Sequence, residues 1–130
     1  MRHQTALGRV KGLGSARSGS RQWVAQKVSA VVLAVLFLWF AFSFATNLTA
    51  SYRDVVTWLA KPTTTVLVIT FIVTAFYHAI LGLQVFLEDY IGKACVRLMV
   101  VNAMRVIMMI IGLSAVYAVV RISSVASVLG

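Results

Sequence analysis

Residues 76–92 read "FYHAILGLQVFLEDYIG", an oily run that holds His78 and closes on Glu88, Asp89 and Tyr90. The run continues an apolar segment that begins after Pro62, and a bilayer-spanning helix needs about 20 such residues. His78 is one of two histidines in the chain. An ionisable group inside a membrane helix is costly unless it is paired, so it marks a functional position by default.

The remainder of the chain agrees with a membrane protein. Hydrophobic residues make up 61% and charged residues 12%, against about 45–50% and about 25% in soluble domains. The 130 residues hold three apolar runs of spanning length, at about 23–45, 62–87 and 98–120. The expected fold is therefore all-α, with three transmembrane helices. Pro62 suits the first turn of the second helix, where its missing N–H would be unpaired anyway. A short interfacial helix is expected at 54–59, with Trp58 in the headgroup layer.

Lys and Arg total 12 against 3 Asp and Glu, for a net charge of +9. The excess sits in one place: Arg2, Arg9, Lys11, Arg17, Arg21 and Lys27 lie in or beside residues 1–22. Basic residues flanking a span mark its cytoplasmic side. The amino terminus and the 88–97 loop, with Lys93 and Arg97, are expected in the cytoplasm, and the carboxyl terminus outside. Residues 1–22 read as a basic, Gly- and Ser-rich cytoplasmic arm, flexible or ordered by a partner. No zinc-finger spacing or basic stripe with interleaved aromatics points to nucleic acid. Cys95 is alone, which excludes an intrachain disulfide. Met99, Met104, Met108 and Met109 read as packing surface.

Four-residue spacing places Thr70, Thr74, His78 and Gly82 along one helix face, with Ala75 and Ala79 beside it. Small residues admit a close neighbour, either another helix or a flat cofactor. A neutral imidazole can bind a metal without bringing charge into hydrocarbon, so haem ligation is one reading. A histidine bonded to another helix, or one lining a proton path, is the other. Tyr90 lies about 18 Å further along the same helix. Its hydroxyl suits interfacial anchoring and equally suits a quinone carbonyl, with Asp89 tuning that bond.

The stretch "HAILGLQVFLEDYIGKACVRLM" resembles the hydrophobic membrane anchors of succinate dehydrogenase, the respiratory complex II. The matching residues are His78, Gly82, Asp89, Tyr90 and Arg97–Leu98–Met99, together with "LGSARSGSRQWVAQKVSAV" leading into the first helix. The resemblance implies a multi-pass protein of the bacterial inner membrane. Its partners would be a second anchor, the cytochrome b subunit, with an iron–sulfur subunit and a flavoprotein subunit, which oxidises succinate. It implies His78 as an axial ligand of haem b, the second ligand coming from the cytochrome b anchor. It further implies Tyr90, supported by Asp89, as the contact to ubiquinone. Lys27 stands where relatives often carry an arginine near the haem propionates. Arg105 departs from the pattern, and either meets a propionate, snorkels to the headgroups or bonds another helix. This chain would be a non-dehydrogenating subunit, since it carries no acid–base constellation for succinate. The competing readings are a small proton-coupled transporter subunit, with His78 as relay, and a cofactor-free structural anchor.

Overall fold

A computed structural model describes residues 16–129. Four helices follow one another: α1 (Ala16–Ala45), α2 (Tyr52–Ala60), α3 (Pro62–Tyr90) and α4 (Ala94–Leu129). Three of them are long and apolar enough to cross a membrane, over Gly19–Ala45, Pro62–Tyr90 and Ala94–Ala126. The three spans anticipated from the apolar runs are present, with α2 as the short helix between the first two. Most of the expected arm, residues 1–15 with His3, lies outside the described residues.

The helices outrun the apolar segments that announce them. The first starts at Ala16 rather than near residue 23, and the last runs to Leu129 rather than to about 120. Hydropathy marks where a helix meets hydrocarbon, whereas its backbone hydrogen bonding continues until proline, glycine or a cap stops it. Neither Arg121 nor Ser123 nor Ser124 is such a stop. Ser124 Oγ simply donates back to the Arg121 carbonyl at 3.0 Å. The second span likewise continues through Glu88 and Asp89 to Tyr90.

The start of α2 is set by a capping box. Ser51 Oγ accepts from the Asp54 N–H at 3.3 Å, and the Ser51 N–H donates to Asp54 Oδ2 at 3.3 Å. This reciprocal pair satisfies two otherwise orphaned donors and begins the helix two residues before the expected position. Lys61 then ends α2 and opens α3, with Pro62 at the first helical position. Trp58 is half-buried, and its indole N–H donates to Ser43 Oγ on α1 at 3.1 Å. Thr65 Oγ1 donates to the Leu59 carbonyl at 2.7 Å. These bonds tie the corner at the far end of the molecule from Ala16.

The arrangement is a layer with α3 in the middle. It packs on α1 along one side and on α4 along the other, while α2 lies against α4 and the start of α3. Among the described residues, no Cα of α1 lies within 8 Å of a Cα of α4. The layer buries few side chains completely: Val68, Val101 and Val119 among apolar ones, Ser29 and Thr64 among polar ones. Apolar residues such as Phe42, 77% exposed, cover its two open faces. A soluble protein could not expose this much apolar surface, whereas lipid or neighbouring subunits can cover it.

Candidate functional site

His78 lies about 24 Å along α3 from Pro62 and about 18 Å from Tyr90, at 1.5 Å per residue. That is mid-depth in the layer. Its ring is half-buried against α1, where Nδ1 sits 2.9 Å from Ser29 Oγ. Ser29 is 6% exposed, and its hydroxyl also donates to the Gln26 carbonyl at 3.1 Å. His78 Nε2 makes no hydrogen bond among the described residues. Nor is it an enclosed atom, unlike Gln22 Nε2 and Gln26 Oε1, which are buried without partners. One ring nitrogen is thus committed and the other is accessible, which is the state an imidazole needs to bind a metal.

From one turn beyond His78, which does not line it, the α1–α3 seam opens into a groove of about 420 Å³. Gly19, Gln22, Trp23, Gln26 and Lys27 line it from α1, and Gly82 and Val85 from α3. At Gly82 a side chain of α1 lies close by: a Cβ there would meet Gln26 Nε2 at 3.4 Å. The small-residue face read from the sequence thus receives another helix at Gly82. Thr70, on the same four-residue series, is exposed and bonds its own helix at the Val66 carbonyl. Lys27 is exposed on the rim, with Nζ 5.8 Å above the Trp23 ring. That cation–π contact, one helical turn apart, holds the ammonium at the groove mouth.

Tyr90 and Asp89 end α3 on the side where α1 begins. Both are exposed, and the Tyr90 ring stacks on Phe86 with centroids 4.6 Å apart. The unbroken helix keeps them well away from His78, so the two sets are separate stations on one helix.

Arg105 belongs to the opposite seam. It is half-buried on α4, and its guanidinium donates to Gln84 Oε1 on α3. Gln84 Nε2 in turn donates to Glu88 Oε1 at 2.7 Å. Arg105 thus makes an interhelical bond, one of the three roles considered for it. Lys27 is on the His78 side of α3, and Arg105 on the α4 side. No cluster of three His, Cys, Asp or Glu side chains forms among the described residues. Cys95 is free and exposed.

The sequence reading missed Gln22, Gln26 and Ser29. Their signal was present: positions i, i+4 and i+7 on α1 form one helical stripe, polar within an apolar run. Gln84 was missed because nothing local marks the partner of an arginine on another helix.

A comparison with known families decides what kind of anchor this is. The family described as succinate dehydrogenase/fumarate reductase transmembrane subunit matches residues 1–125. This chain belongs to that family. Its relatives include succinate dehydrogenase hydrophobic membrane anchor subunits. The one from Rickettsia conorii is 36% identical over 85 residues, covering 65% of this chain and 68% of the relative. The one from Rickettsia bellii is 33% identical over 84 residues, covering 65% and 67%. The Paracoccus denitrificans anchor is 30% identical over 125 residues, with 93% of each chain covered. Together with its three spanning helices, this membership makes the anchor a multi-pass membrane protein.

Proposed function

We propose that this chain is the membrane anchor of a succinate:quinone oxidoreductase, sharing haem b and the ubiquinone site with a cytochrome b partner. The flavoprotein and iron–sulfur subunits dock where α1 begins, on the cytoplasmic face of the bacterial inner membrane. The observation that carries the reading is the imidazole at mid-depth with Nδ1 engaged and Nε2 unpaired and accessible.

In this reading His78 Nε2 would hold the haem iron from this chain, and the cytochrome b partner would supply a second ligand. When bound, haem b supplies a one-electron store near the quinone. Lys27 serves a propionate: it is the cation at the mouth of the groove, on the His78 side of α3. A lysine meets a carboxylate as a point charge, without the planar fork of arginine. Arg105 stays with Gln84. At the end of α3, Tyr90 donates its hydroxyl to a quinone carbonyl. Asp89, the preceding residue, holds or passes the proton that reduction of that oxygen requires.

The test is the absorption spectrum of the purified complex. The parent is expected to show a b-type haem band that His78→Ala abolishes while the subunits stay together. A band that survives in the assembled alanine variant rules out His78 as ligand. The Ser29–His78 bond would equally serve a cofactor-free anchor, and an assembled parent complex without haem would establish that second reading. Orientation has its own probe in Cys95. A membrane-impermeant maleimide is expected to label it in inside-out vesicles and not in right-side-out ones.

A further inference from the structure

We infer that Ser29 is a positioning residue for the His78 ligand: it fixes the ring's tautomer and turns Nε2 away from α1. The inference rests on the haem reading above and adds to it a residue outside the family pattern of His78, Asp89 and Tyr90.

The argument begins with proton counting. A serine hydroxyl has one proton to give and two lone pairs to offer. The Gln26 carbonyl can only accept, and Ser29 Oγ donates to it at 3.1 Å. In the arrangement that keeps this proton on Gln26, Nδ1–H is the donor and Oγ the acceptor of the 2.9 Å contact, and every polar atom of the pair is satisfied. The neutral imidazole is then protonated at Nδ1 and carries its bare lone pair on Nε2. A ligating histidine needs this form, and the bond at its other nitrogen also raises the basicity of the ligand.

Geometry adds a second support. Ser29 is 6% exposed, so water does not compete for the bond. The bond joins two helices, so it fixes the ring relative to α1 as well as to its own backbone. The nearest alternative side chain, Gln26, does not reach the ring: its Oε1 is enclosed without a partner, and its Nε2 lies over Gly82. As a stabiliser of the fold the bond adds little, because interhelical hydrogen bonds in membranes are individually weak. As an outer partner of a metal ligand it is expected to matter much more, since losing such a partner typically weakens metal binding by about 10–100-fold.

The experiment uses the intact purified complex and compares the parent with Ser29→Ala, Ser29→Thr and Ser43→Ala. The last removes the acceptor for Trp58, an interhelical bond near the other end of α1. Readouts are the rate of haem loss to an apoprotein scavenger and the haem midpoint potential. Ser29→Ala is expected to lose haem roughly 10–100-fold faster. Its potential is expected to shift upward, because a less basic ligand stabilises the ferric state less. Threonine keeps the hydroxyl and is expected to restore both, and Ser43→Ala to change neither. An alanine variant with the parent's potential and haem retention overturns the role of Ser29 while leaving His78 as ligand. So does a threonine variant that behaves like alanine. A parent complex lacking a His78-dependent haem band overturns the proposed function, and this inference with it.

Discussion

Against α1, helix α3 presents His78, Gly82 and Val85; against α4 it presents Ile72, Phe76 and Gln84. Phe76 is two residues from His78 and so lies about 200° round the helix from it. The two seams solve different problems. The α4 seam is tight at two places: a Cβ on Gly112 would come within 3.2 Å of the Phe76 ring, and Arg105, Gln84 and Glu88 satisfy one another; beside Gly112 it leaves a smaller apolar groove of about 180 Å³. The α1 seam tightens at Phe71, which stacks on Phe40 at 5.1 Å. Beyond His78 it loosens into a groove and leaves two amide atoms unmatched. Buried polar groups are normally paired, and this seam leaves two without partners. The α4 side of α3 is the better satisfied of the two.

That division can be broken. The largest effect is expected from Arg105→Ala, which strands Gln84 Oε1 in the α4 seam at a cost of about 1–3 kcal/mol. It should lower the thermal midpoint of the assembled complex and leave the haem spectrum as it was. If it strips the haem instead, the two seams are not independent.

A pair of glycines sharpens the contrast. Gly112→Ala pushes a methyl group against a ring held between two helices, an overpacking cost of about 1 kcal/mol or more. Gly82→Ala meets only the end of the Gln26 side chain at 3.4 Å, an ordinary contact. It should change the stability by less than about 0.5 kcal/mol. Equal effects in the same thermal assay would mean that the α1 seam is as tightly packed as its counterpart.

The most localised effect is expected at the corner. Ser51→Ala removes the side-chain half of the capping box and should cost about 1 kcal/mol. It should appear as faster amide exchange confined to α2, with both seams of α3 unchanged.

The number of spans could be read from the sequence because an apolar run of spanning length has few other uses. Helix ends could not, because hydropathy reports the solvent and not the backbone; Ala16 and Leu129 lie well beyond the hydrophobic runs. His78 was visible because a histidine in an oily helix stands out by type. Ser29 was not, since serine can bond its own helix and needs no further reason to be there. Which way each face points depends on the packing register between helices. For that reason the sequence could not name Gln84 as a partner of Arg105, and the fold supplies it.

The separation of the α1 and α4 backbones among the described residues, with α3 between them, gives the anchor the form of a plank. A copy made in excess of its companions would float in the bilayer with an uncovered imidazole nitrogen along one edge. In the proposed complex that nitrogen would be sealed. The edge therefore offers the cell a chemical mark by which surveillance proteases could tell orphans from assembled copies.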